Sequence, residues 1–164
     1  MLNLTSACCE GLAATLCGHG TGPMSEIKNR DGSGNRRRVL LADDHLLLLE
    51  RVTTLLQMAF DVVGVAHNGF EMVDEAMRLR PDIIVADIAM PGLDGIQAAH
   101  RLREMGSGAS IVFLTVNERP EFVEACLAEG ALGFVLKSHM KTDLVPAINA
   151  ALAGRCFVSS TRHT

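Results

Sequence analysis

Five side chains stand where chemistry is easiest to arrange: Asp43 and Asp44, Asp87, Thr115 and Lys137. Each follows directly on a short apolar run, residues 39–42, 83–86, 110–114 and 133–136 in turn. Three carboxylates drawn together repel one another, and either protonation or a cation must relieve that. An all-oxygen cluster with room for water suits Mg2+, which takes near-octahedral oxygens at roughly 2.0–2.1 Å. One carboxylate would then stay free to react. A bound metal, the Thr115 hydroxyl and the Lys137 ammonium could surround a phosphoryl group on Asp87 and neutralise its oxygens. Taken singly, each residue has an ordinary explanation. An Asp after a strand commonly caps the next helix, a Thr bonds locally, and a Lys faces water. Chance rarely sets all five at the right strand ends together.

The elements that would carry them are legible in the hydrophobic pattern. Continuous apolar runs at 39–42, 62–66, 83–86, 110–114 and 133–136 read as strands buried on both faces. Helical spacing follows each: residues 46–58, from Asn68-Gly69 to a stop at Pro81, 95–105, from Pro120 to about 130, and a last helix capped by Thr142 and ended by Gly154. Five strands alternating with five helices imply an α/β fold, an open parallel sheet covered on both sides. In such sheets ligands sit beyond the carboxyl ends of the strands. That is where the five residues fall.

Residues 1–36 show no sustained periodicity and grow rich in Gly, Ser, Asn and charge, the composition of a flexible leader. Met24 stands just before its most polar part as an alternative start. The reading is therefore a leader over 1–36, a domain over 37–155 and a short tail over 156–164.

Composition narrows the class. The chain has 164 residues, 48% hydrophobic and 21% charged, with no Trp or Tyr and six Phe, so an aliphatic core is expected. Its net charge of −4 is uneven: residues 1–38 hold five basic groups against three acidic, leaving ten against sixteen for the remainder. An acidic body is a poor match for nucleic acid, and Arg36-Arg37-Arg38 reads as a solvated flank. No run approaches the roughly 18–20 apolar residues of a membrane span, and the first residues lack the basic start and compact apolar core expected of a secretory signal. Five cysteines without framework spacing point to reduced thiols and a cytoplasmic setting. Cys8, Cys9, Cys17 and His19 match no zinc spacing and fall in the leader.

The segments 39–45 (VLLADDH), 82–95 (DIIVADIAMPGLDG), 111–115 (IVFLT) and 130–137 (GALGFVLK) resemble the response-regulator receiver family of two-component systems. The resemblance covers about 38–154, and Asp43-Asp44-His45 with residues 147–154 is most similar to the LuxR/NarL-type subgroup. It implies a flavodoxin-like, CheY-like doubly wound sheet of five strands in the order 2-1-3-4-5. It implies that Asp87 accepts a phosphoryl group from a histidine kinase or phosphotransfer protein. By the same resemblance Asp43, Asp44, Asp87 and the Ala89 main-chain carbonyl would hold Mg2+, Thr115 and Lys137 would contact the phosphoryl oxygens, and Phe134 would be the switch aromatic. Such a domain transfers phosphate to itself and loses it to water, and is no turnover enzyme. Its output would run through a protein partner or a second copy of the chain, with no direct DNA contact. A helix-turn-helix module needs some 50–60 further residues after the last helix, so a stand-alone receiver is the expectation, with the receiver part of a truncated regulator as the alternative.

Three local features depart from the common pattern. Phe134 lacks a phenolic hydroxyl, so any switch rests on ring packing. Val116 brings a β-branched side chain beside Thr115, and Asn117 stands where attack by water would be influenced. Leu46-Leu47-Leu48-Leu49 covers more than one helical face, so at least one should meet solvent or a partner; Leu46 or Leu49 is the expected docking or dimer contact. Competing readings are a receiver-shaped module that is never phosphorylated, an Asp-nucleophile phosphatase, which would want a substrate cap, and a flavoprotein, whose phosphate Asp43-Asp44 would repel.

Overall fold

The computed structural model describes residues 36–159. Leader cysteines 8, 9 and 17, with His19 and Met24, lie outside the described residues. The elements run β1 (Arg38–Ala42), α1 (Leu46–Leu56), β2 (Asp61–Ala66), α2 (Gly69–Leu79), β3 (Ile83–Ala86), α3 (Gly95–Glu104), β4 (Ser110–Thr115), α4 (Pro120–Ala128), β5 (Gly133–Leu136), a 3-10 turn (Lys137–His139), α5 (Met140–Leu152) and β6 (Phe157–Val158). All strand pairings are parallel, in the order β2-β1-β3-β4-β5-β6. The five-strand core is thus the expected 2-1-3-4-5. A short sixth strand adds to its edge from the segment read as a tail; two residues are too few to show any period in sequence.

Strand alternation divides the core in two. Leu40, Ile84, Phe113 and Phe134 face α2, α3 and α4, whereas Val39, Leu41, Val85, Val112 and Val135 face α1 and α5. Burial on both faces is why these strands are apolar throughout. The helices bury one stripe each, such as Leu49, Val52 and Leu56 in α1.

Helix ends are fixed locally. Asn68 accepts from the Glu71 amide while the Glu71 carboxylate accepts from the His67 amide, a reciprocal arrangement that starts α2. Asp94 accepts from the Gln97 amide to start α3. Pro81 follows the end of α2, where Arg80 takes a left-handed conformation at φ 48°.

Three expectations change. Thr142 is not the cap of the last helix: α5 begins two residues earlier, and the Thr142 hydroxyl donates to the His139 carbonyl at 3.0 Å. The leucine run exposes Leu46 and Leu47, at 64% and 72%, but Leu49 is core at 6%. The arginine flank is more than solvated: Arg36 donates to the Gln57 carbonyl, and Arg38 to the Leu79 and Arg80 carbonyls at the end of α2. A guanidinium there satisfies carbonyls that have no helical donor.

Candidate functional site

Asp43 and Asp87 emerge side by side because β1 and β3 are paired through Ala42 and Ala86. The Asp87 amide donates to the Ala42 carbonyl at 2.8 Å, and the Asp43 amide to the Ala66 carbonyl at 3.1 Å. The backbone after each strand is thereby fixed before the side chains make any contact. The start of α3 closes the site from behind: a Cβ on Gly95 would fall 2.1 Å from the Asp87 carbonyl oxygen, so only glycine permits this approach.

Lys137, just past β5, reaches across β4. Its Nζ lies 2.9 Å from Asp87 Oδ2 and 2.7 Å from Asp43 Oδ2. The contact to Asp87 is a hydrogen bond. The contact to Asp43 is an ion pair outside hydrogen-bond geometry, so Asp43 Oδ2 is buried and held by charge. Both carboxylates are almost covered, and Lys137 nearly so. Burial pushes the Asp87 carboxyl above its ordinary range, with the Asp43 charge adding to the effect and Lys137 opposing it. For Lys137 burial acts downward, but the close negative charges of Asp43 and Asp87 outweigh it and hold the ammonium above its usual value. One ammonium therefore serves two buried carboxylates.

Asp44 is more open, and His45 Nδ1 lies 2.9 Å from Asp44 Oδ1 and 3.2 Å from Asp43 Oδ1. Neither aspartate caps α1, whose cap position is His45 without a side-chain bond. Donor atoms of Asp43, Asp44, His45 and Asp87 all fall within 4.8 Å of one another. His45 joins the cluster without having been singled out as a site residue, and its place directly after two aspartates was the available signal. The carboxylate donors fit a hard divalent ion such as Mg2+, and Asp43 Oδ2 still has acceptor capacity to offer. The imidazole suits such an ion less well.

Thr115 is buried at the end of β4, and its Oγ1 accepts from the Asn117 amide at 3.1 Å. It pairs across the sheet with Leu136, the neighbour of Lys137. Phe134 is buried against the α2–α3–α4 face, whereas Val116 is 75% exposed. The Asp87 carboxylate also accepts a long bond, 3.4 Å, from the Ala89 amide. The sequence-predicted residues Asp43, Asp44, Asp87, Thr115 and Lys137 thus share one edge of the sheet, with Lys137 touching Asp43 and Asp87 directly.

An open parallel sheet with an acidic, lysine-bridged carboxyl edge is the arrangement of a receiver-type signalling module. The chain belongs to the response regulator receiver domain family, whose sequence model matches residues 39–149. It is 39% identical over 123 residues to the nitrate/nitrite response regulator protein NarL of Escherichia coli, covering 74% of this chain and 57% of that one. It therefore spans little more than half the length of that relative. Among solved structures it is similar to a two-component response regulator of the LuxR family from an Aurantimonas species, with 33% identity, a TM-score of 0.72, and 75% and 89% of the two chains covered. It is also similar to the isolated receiver domain of RcsB from Salmonella enterica with the phosphomimetic BeF3−, with 29% identity, a TM-score of 0.70, and 77% and 95% covered. Among the described residues no helix is long and apolar enough to cross a membrane.

Proposed function

We propose that this domain accepts a phosphoryl group on Asp87 from the phosphohistidine of a kinase or phosphotransfer protein in the cytoplasm. A carboxylate oxygen of Asp87 attacks phosphorus, the P–N bond breaks, and the imidazole leaves with the bonding pair. Water later attacks the acyl phosphate and releases inorganic phosphate. The observation that carries this reading is the single ammonium of Lys137 set between Asp43 and Asp87. In this reading that charge would turn to the phosphoryl oxygens, leaving Asp43 to hold the ion.

Asp43, Asp44, Asp87 and the Ala89 carbonyl would hold Mg2+. When bound, the ion supplies positive charge that offsets the carboxylate repulsion and the phosphoryl oxygens. Thr115 would exchange its bond from Asn117 for one donated to the phosphoryl group, and Lys137 would pair with the same group. Phosphorylation adds about −1.5 to −2 charge and three strong acceptors. One or two new charge-assisted bonds, at about 1.5–3 kcal/mol each, can tip a two-state equilibrium by roughly ten- to ten-thousandfold. Movement of the β4 loop, of Phe134 in β5 and of α5 would carry that change to an output protein or a second copy of the chain.

Incubation with acetyl phosphate and Mg2+, read by intact mass, tests the reading. The wild-type chain should gain one phosphoryl group and Asp87→Asn none. Equal labelling of both would refute the assignment, and labelling of neither would favour a module that is never phosphorylated.

A further inference from the structure

The short turn that presents Lys137 is gripped at both ends by a polar chain from outside it. Before the turn, the Leu136 amide donates to Ser159 Oγ at 3.4 Å. Ser159 Oγ in turn donates to Asp143 Oδ2 at 2.6 Å. The other Asp143 oxygen lies 2.8 Å from Thr142 Oγ1, which also reaches the His139 carbonyl at 3.0 Å, after the turn. The Thr142 hydroxyl has one proton to share between those two acceptors. Ser159 itself is 7% exposed, and its amide donates to the Phe134 carbonyl at 2.8 Å. It is brought there by β6, which pairs with β5 through Gly133–Phe157 and Phe134–Val158.

We propose that Ser159 is a positioning residue for Lys137, acting through Leu136 on one side and Asp143 on the other. This rests on the reading of Lys137 as a phosphoryl contact. A buried hydroxyl bonded to a carboxylate is costly to leave half satisfied, so the chain holds the register of the turn. Lys137 must span two carboxylates, and a small shift of its backbone would lengthen both contacts. The segment after α5 thereby sets the geometry of a site that lies on the far side of β5.

The test separates a lysine effect from general loosening. Beryllofluoride stands in for the phosphoryl group, whereas Mg2+ alone reports on the carboxylates. In the full chain, Ser159→Ala should weaken beryllofluoride binding about three- to tenfold, with Mg2+ affinity changed less than about twofold, both by calorimetry. Ser159→Thr, which keeps a hydroxyl, should restore most of the loss. If Ser159→Ala does not fold, Asp143→Ala removes the same link and should show the same split. Unchanged beryllofluoride affinity, or equal losses for both ligands, would overturn the role of Ser159. A wild-type chain that binds no beryllofluoride and takes up no phosphoryl group would instead overturn the functional reading beneath it.

Discussion

At the amino end of β1, Arg38 gives its guanidinium to two carbonyls at the end of α2, its amide bonds Asp82 at 2.8 Å, and Arg37 pairs with the same carboxylate at 3.4 Å. At the carboxyl end of the same strand, Asp43 and Asp87 share one lysine and are almost fully covered. The first region has donors enough for its acceptors and stays in water. The second has too few cations and is shielded from water. Satisfied charge at a sheet end works as a clasp. Unsatisfied negative charge in low dielectric has an affinity still to express, for a cation.

The sharpest way to break that contrast is to remove the shared cation. Lys137→Ala should slow phosphoryl uptake from acetyl phosphate by about 10²–10³-fold, the usual cost of losing one preorganised electrostatic partner. Rates within threefold of wild type would place Lys137 with the clasp. Next in size, a divalent ion should stabilise the acidic end. With Mg2+ at a hundredfold excess over its Kd, denaturant unfolding should show a gain of about 2.7 kcal/mol. The gain should vanish in Asp43→Asn, and its survival there would remove Asp43 from the ion site.

At the other end, Arg38→Met should cost about 1 kcal/mol of stability through the lost carbonyl bonds, with uptake rates unchanged. A slowed rate would mean that the two ends are coupled. The smallest effect is a pH slope in the ion-free protein. Because the folded Asp87 carboxyl is raised above the ordinary value of 3.8, its contribution to stability is fully present at lower pH. It is lost as pH rises through the folded value. Asp87→Asn should therefore flatten stability against pH in the window just above about 3.8, and an unchanged slope would assign it to another group.

Much of the candidate site was readable because strand ends are local features. An apolar run that stops at Asp43, Asp87, Thr115 or Lys137 marks the edge of a sheet without any knowledge of neighbours. Parallel pairing then sets all such edges on one side. The leucine run shows where this fails. Its excess of apolar residues was plain, but which of them face solvent depends on the rotation of α1 against the sheet, which exposes Leu47 and buries Leu49.

The order of apolar runs and turns determined an alternating fold, and the residues closing each run determined which side chains share its edge. Tertiary structure alone decided that one ammonium would divide itself between Asp43 and Asp87, that Arg38 would close α2, and that residues 157–159 would add a strand and bring Ser159 to the Lys137 turn. Periodicity is a property of neighbours along the chain. The choice of a polar partner is made across space, between groups separated by 16 to 50 residues, and depends on packing that no single segment encodes.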